Sequence, residues 1–338
     1  MRTERFSRQV AFSKLGKEGQ ERLAGARAAV IGLGALGSVI AQSLCRSGVG
    51  FLRLVDRDYV EESNLQRQVL YDEADALEGL PKAEAAARKL RAIDSAIELE
   101  AVAADVTSAN VERLVKDVDV VLDGTDNFQV RYLLNEACVK HGVPWVYGGA
   151  LMDYGVTMDI IPGTTACLRC LLRDMPPPGS QPTCATAGVL NMATGVIGNI
   201  EAVEGLKIIL KSPAIRRTYL SLSLWDSSFE EAAIERDPDC PTCGHGRYEL
   251  LGAARDSHAV SLCGRDSVQV SPAEGRKVDF EAIADRLRGQ GSVKVGEFML
   301  VFSSERHEIR LFRDGRAIIS KVRDEGAAKS VYAEYIGL

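Results

Sequence analysis

Between residues 27 and 56 the chain switches hydrophobic period twice. RAAVI, 27 to 31, reads as a buried strand; a glycine-rich turn and an amphipathic helix follow; FLRLV, 51 to 55, reads as a second strand ending at Asp56. The same alternation continues downstream. A helix is expected at about 81 to 92, a strand at 97 to 102, a strongly apolar strand at 118 to 122 and a helix at 127 to 141. VPWVYGGALMDYGVTMDII then reads as strand, turn, strand, and 188 to 211 as a long buried helix. Strands near 218 to 225 and 229 to 235 form an antiparallel pair. A charged helical arm, 4 to 25, precedes all of this. Helices alternating with strands predict a parallel sheet covered on both faces, a Rossmann-like α/β fold with an antiparallel extension.

Composition shifts near 246 to 258, which reads as a linker, so the expected domains are 1–250 and 251–338. The second is a small α+β unit: a strand near 267 to 270, a helix at 279 to 288, strands near 298 to 302 and 307 to 312, and a helix at 324 to 335.

Charge and cysteine content narrow the function classes. The formal net charge is −6, which argues against a broadly basic surface, so no direct nucleic-acid partner is expected. No apolar run reaches the roughly 18 residues of a membrane span. The N-terminus lacks the apolar segment of a signal peptide. Eight cysteines in 338 residues are too few for a disulfide framework, and paired CxxC spacings in a cytoplasmic protein suggest metal or redox chemistry.

The turn after the first strand carries GxGxxG at Gly32, Gly34 and Gly37. Such glycines let a phosphate approach the backbone at a helix N-terminus, and Asp56, 19 residues past Gly37, stands where a ribose-binding acid belongs. This much fits any adenine nucleotide, including NAD. The next segment, VDRDYVEESNLQRQVLY, adds a polar cluster of Asn64, Gln66, Arg67 and Gln68. A guanidinium here suits a nucleoside triphosphate, with Lys82 as a second cation. LDGTDN places Asp123, Asp126 and Asn127 at a strand's C-terminal end, where one carboxylate is a candidate Mg²⁺ ligand. Cys167 with Cys170 and Cys240 with Cys243 supply the four thiolates of a closed, structural Zn²⁺ site.

RFSRQ, GLGALG, SNLQRQ, LDGTDN, CLRC, TCATAGV and CPTCG, in that order over about residues 4 to 246, resemble the ThiF/MoeB/HesA family of adenylating enzymes, bacterial relatives of ubiquitin-activating enzymes. The resemblance implies adenylation, with Mg²⁺ and ATP, of the C-terminal Gly-Gly carboxylate of a ubiquitin-like sulfur carrier, with release of pyrophosphate. It implies that Gly34 lies against the nucleotide, Asp56 holds the ribose, Asn64, Arg67 and Lys82 bind phosphates, and Asp126 serves the metal and the adenylation step. Gly32, Gly37, Asp58, Gln66 and Asn127 join the nucleotide-lining positions. Arg8 would reach into the ATP site of a partner subunit, which implies a homodimer, and a separate protein could donate persulfide sulfur. Cys184 follows a Pro/Gly/Ser-rich segment expected to be a mobile loop, and could form a thioester or persulfide; its bland alternative is a small apolar residue at the foot of the next helix. Cys45 and Cys138 are expected in the core, and Cys263 as structural. Competing readings are a ligase acting on a threonylcarbamoyl-adenosine carboxylate in tRNA, a scaffold without catalysis, and an NAD oxidoreductase.

Overall fold

The computed structural model describes residues 4–177, 180–253, 258–261, 267–272 and 278–337. Contacts divide the chain into two compact units, Met1–Ala253 and Ala254–Leu338.

In the first unit two short helices, α1 (Ser7–Val10) and α2 (Gly16–Gly25), lead into β1 (Arg27–Ile31), α3 (Ala35–Ser47) and β2 (Phe51–Val55). A 3₁₀ turn, Glu62–Asn64, and α4 (Glu73–Glu78) precede α5 (Lys82–Ile93) and β3 (Glu98–Val102). Then come α6 (Val111–Val115), β4 (Val120–Asp123), α7 (Phe128–His141), β5 (Trp145–Leu151) and β6 (Tyr154–Ile160). Two one-turn helices, α8 (Leu168–Leu171) and α9 (Cys184–Ala187), precede α10 (Asn191–Ile209), β7 (Thr218–Ser223) and β8 (Ser228–Ala233). The strands form one sheet in the order β3-β2-β1-β4-β5-β6-β7-β8. It is parallel from β3 to β5 and antiparallel from β5 to β8.

Both faces of the parallel half are covered, which explains why β2 and β4 are buried at every position. On one face Ala29, Ile31, Val121 and Trp145 pack with α6 and α7. On the other, α10 lies against α3 because it carries glycine at the crossing. A Cβ at Gly198 would sit 2.9 Å from Cβ of Val39 on α3, and where α10 meets the sheet one at Gly205 would sit 3.1 Å from Leu122 of β4. Cys45 and Cys138 are core residues, as their apolar helix faces predict.

The second unit is a six-stranded antiparallel sheet, β11-β12-β13-β14-β10-β9. Its strands are β9 (His258–Ser261), β10 (Ser267–Ser271), β11 (Ser292–Val295), β12 (Met299–Ser303), β13 (Glu308–Phe312) and β14 (Ala317–Ser320). Helices α11 (Phe280–Leu287) and α12 (Glu325–Tyr335) complete a core of Val268, Phe280, Phe302, Ile319 and Tyr332. Strands β9, β11 and β14 are absent from the sequence reading: each has four residues, and unlike the equally short β4 none lies in a stretch as strongly apolar as VDVVL. Cys263 lies outside the described residues.

Candidate functional site

The site forms where β1, β2 and β4 end side by side. The turn after β1 is tight enough that three glycines touch. A Cβ at Gly37 would lie 1.8 Å from the carbonyl oxygen of Gly32, and one at Gly124, after β4, 2.4 Å from the same oxygen. Gly32 itself has φ +85°, a left-handed conformation that glycine adopts without strain. Gly34 differs: it caps α3 at φ −75°, and a Cβ added there would meet nothing nearer than Nε2 of Gln68, at 3.8 Å. The space beside Gly34 is open, which leaves room for a group to approach the backbone there.

Asp56 stands at the end of β2 and binds the turn. Its Oδ2 accepts from the Leu33 N–H at 2.6 Å and its Oδ1 from the Asp58 N–H at 2.7 Å. Burial pushes its carboxyl up, against the opposing pull of Lys82. Lys82, at the first position of α5, is 4% exposed and reaches Asp58 Oδ2 at 3.4 Å. The side chain of Asn64 is buried and accepts from the Glu61 N–H, which shapes the 3₁₀ turn. Arg67 donates to the Ser63 carbonyl at 2.8 Å. Gln66 is exposed, whereas Gln68 is buried beside the glycine turn with its Oε1 lacking any hydrogen-bond partner. An orphaned buried acceptor at that place suits a ligand donor.

The acids after β4 divide by environment. Asp123 is fully buried and engaged by Thr125 and by Arg131, whose Nε lies 2.9 Å from Oδ2. It is therefore unavailable to a metal, which leaves Asp126 of the two candidate Mg²⁺ carboxylates in LDGTDN. Arg131 also donates to the carbonyls of Thr125 at 2.6 Å and Gly148 at 2.8 Å, fixing the loop that displays Asp126 to solvent. The Asn127 side chain caps α7 by accepting from Gln129 and Val130. Asp126, Asp58 and Asp56 all act on the guanidinium of Arg57, which pairs with Asp105 at 3.5 Å. Arg57 went unread in the sequence although it directly follows the ribose-type acid.

Cys184 belongs to the same neighbourhood. Burial and the charge of Asp126 push its thiol up, while Arg67 pulls it down. Its segment is pinned after the cysteine: the Met152 N–H donates to Gly188 and the Leu190 N–H to Met152, at 2.9 and 2.7 Å. Thr183 and Thr186 form a capping box around α9. The loop's end is thus tied to the β5–β6 turn, which differs from the loose end expected of its composition.

Arg8 is the predicted residue that the fold keeps apart. The arm is fastened at the far end of α3, where Gln9 donates to the Ser47 carbonyl at 2.7 Å. The glycine turn lies at the other end of that helix, about 20 Å away at 1.5 Å per residue.

Cys167, Cys170, Cys240 and Cys243 converge with their sulfurs all within 4.8 Å of one another. Three of the spacings are 3.9, 3.6 and 3.4 Å. A tetrahedron with metal–sulfur bonds of about 2.3 Å has edges of about 3.8 Å, and these three spacings bracket that value, so the quartet suits a four-coordinate metal. Asn135 donates to Cys167 and the Asp237 N–H to Cys170, as outer partners of thiolates do.

A Rossmann-type nucleotide-binding domain with a thiol quartet is the class these features define. The chain belongs to the ThiF family, whose model matches residues 6–242. It is 40% identical over 99% of its length, and all of the relative's, to the sulfur carrier protein ThiS adenylyltransferase of Bacillus subtilis. It is 41% identical to the SAMP-activating enzyme E1 of Haloferax volcanii, over 73% of this chain and 91% of that one. The crystal structure of E. coli MccB with ATP shares the fold at a TM-score of 0.62, 24% identity, and coverage of 71% of this chain and 74% of that one. Among the described residues no helix is long and apolar enough to cross a membrane.

Proposed function

We propose that this protein adenylates the C-terminal Gly-Gly carboxylate of a ubiquitin-like sulfur carrier of the ThiS type, in the cytoplasm. The observation that carries the reading is that an open glycine turn, Lys82 beside Asp56, and Arg67 and Asp126 about Cys184 lie at one end of the sheet, in a chain similar over its whole length to a ThiS adenylyltransferase. In the reaction a carboxylate oxygen attacks the α-phosphorus of ATP and the bond to the pyrophosphate leaving group breaks. Two anions must meet, so the barrier falls mainly through fixed cations and N–H donors. Gly34 and the first turn of α3 offer N–H groups to phosphate, and Lys82 and Arg67 offer charge, with Asn64 beside them. Gly32 and Gly37 hold the turn, and Asp56 and Asp58 face the ribose side. Gln66, at the surface, and Asn127, at the cap of α7, complete the nucleotide-lining set. Asp126 is the exposed carboxylate for Mg²⁺, which would neutralise the polyphosphate.

The thiol quartet would hold Zn²⁺. With all four positions taken by sulfur, the metal joins the segment after β6 to the segment after β8. Cys184 carries a protonated thiol that adenylation does not need. After losing that proton it would attack the carbonyl of the acyl-adenylate and expel AMP to leave a thioester, or take the outer sulfur of a donor's persulfide and release the donor's thiol. A homodimer is supported by the separation of Arg8 from its own subunit's site and by the exposed apolar side chains of α10, Met192 and Val203, beside half-buried Val196.

Carrier-dependent ATP–pyrophosphate exchange tests the reading. Exchange with a ThiS-type carrier is expected, with Asp126→Ala inactive yet folded. Arg8→Ala is expected to be inactive alone and to recover when mixed with Asp126→Ala subunits. Exchange that ignores every Gly-Gly carrier overturns the substrate assignment.

A further inference from the structure

Tyr71 joins three segments that each carry a proposed phosphate ligand. It ends the stretch bearing Asn64 and Arg67, and its buried hydroxyl donates to the Leu33 carbonyl in the glycine turn at 2.8 Å. The same oxygen lies 3.3 Å from the carbonyl of Lys82 at the start of α5. The circuit closes through the acids. Leu33 N–H binds Asp56, Asp58 N–H binds Asp56, and Lys82 N–H binds the Asp58 carbonyl at 2.8 Å. Leu33 is thereby held at both its N–H and its C=O.

The peptide between Leu33 and Gly34 is planar and trans, so its N–H points opposite to its C=O. Fixing the Leu33 carbonyl toward Tyr71 therefore fixes the Gly34 N–H on the opposite side, away from the phenol. We propose that Tyr71 is a positioning residue for the nucleotide, whose phenol sets the direction of the Gly34 N–H and ties the glycine turn to the Lys82 helix terminus. The proposal rests on the adenylation reading. It concerns a hydroxyl that no phosphate-binding motif contains. Burial and the carboxylates of Asp56, Asp75 and Asp58 push the phenol well up from its ordinary value, so it stays a donor.

The experiment compares the full-length protein, Tyr71→Phe, and Tyr71→p-aminophenylalanine, which restores an N–H donor at the same place. Losing one hydrogen bond used in the transition state predicts a fall of about tenfold in kcat for carrier-dependent exchange, with the KM for ATP within about twofold. Backbone hydrogen exchange at Leu33 to Gly37 is expected to speed up. The aniline should restore both. A Phe variant with kcat or exchange unmoved overturns the proposal, and a loss that the aniline does not restore assigns Tyr71 to packing and overturns it equally. If the wild-type protein shows no carrier-dependent exchange, the adenylation reading fails by itself. The hydrogen-exchange comparison then still decides whether Tyr71 orders the turn.

Discussion

Gly34 and Gly37 belong to one motif, but the structure asks different things of them. An alanine at 37 would place its Cβ 1.8 Å from the Gly32 carbonyl oxygen and 2.8 Å from the Gly32 carbon. Both are backbone atoms in a turn already locked by Gly124, so α3 and β1 must part. Overpacking of this kind costs about 3 kcal/mol or more. In a domain of this size that lowers Tm by about 6–12 °C. An alanine at 34 meets nothing closer than the Gln68 side chain at 3.8 Å, at an ordinary φ of −75°. As a weaker N-cap than glycine it costs about 1 kcal/mol, so Tm should fall by only a few degrees. Its methyl group, however, occupies the space proposed for phosphate. Calorimetric titration with ATP should show Kd weakened by about tenfold or more, which is about 1.4 kcal/mol. Thermal unfolding and titration of both variants are the assay. The reasoning is refuted if Gly34→Ala binds ATP as the parent does, or if Gly37→Ala keeps the parent's Tm.

Two further outcomes follow from buried groups. The parent protein is expected to carry about one zinc per chain, and Cys240→Ser to carry near none and to show a lower Tm, because the quartet joins two segments far apart in sequence; elemental analysis checks it, and a variant that matches the parent's zinc counts against the quartet as the site. Asp159 is buried, and burial together with neighbouring Glu204 pushes its carboxyl up to about 8. The native state then holds a proton that the unfolded chain has released near its ordinary value of about 4, so this group's stabilisation declines as pH rises from about 4 to 8. Asp159→Asn should flatten that part of the Tm–pH profile, and a slope unchanged by the substitution would remove Asp159 as its source.

The βαβ unit, the glycine motif, the acids at strand ends and the two CxxC pairs are all legible in the sequence. Each is a local pattern, fixed by a period of side-chain burial or by a spacing of a few residues. Family resemblance extends that reading to the reaction because the motifs recur in order. Tertiary structure alone decides what converges from distant segments. It separates buried Asp123 from exposed Asp126 through Arg131, puts Gln68 beside Gly34, and adds Arg57, Gly124 and Tyr71 to the neighbourhood. It also fastens the arm bearing Arg8 at the wrong end of α3 for its own site. These outcomes depend on which side chains compete for the same carbonyl or the same buried volume. That competition exists only after the sheet has assembled, so no spacing along the chain records it.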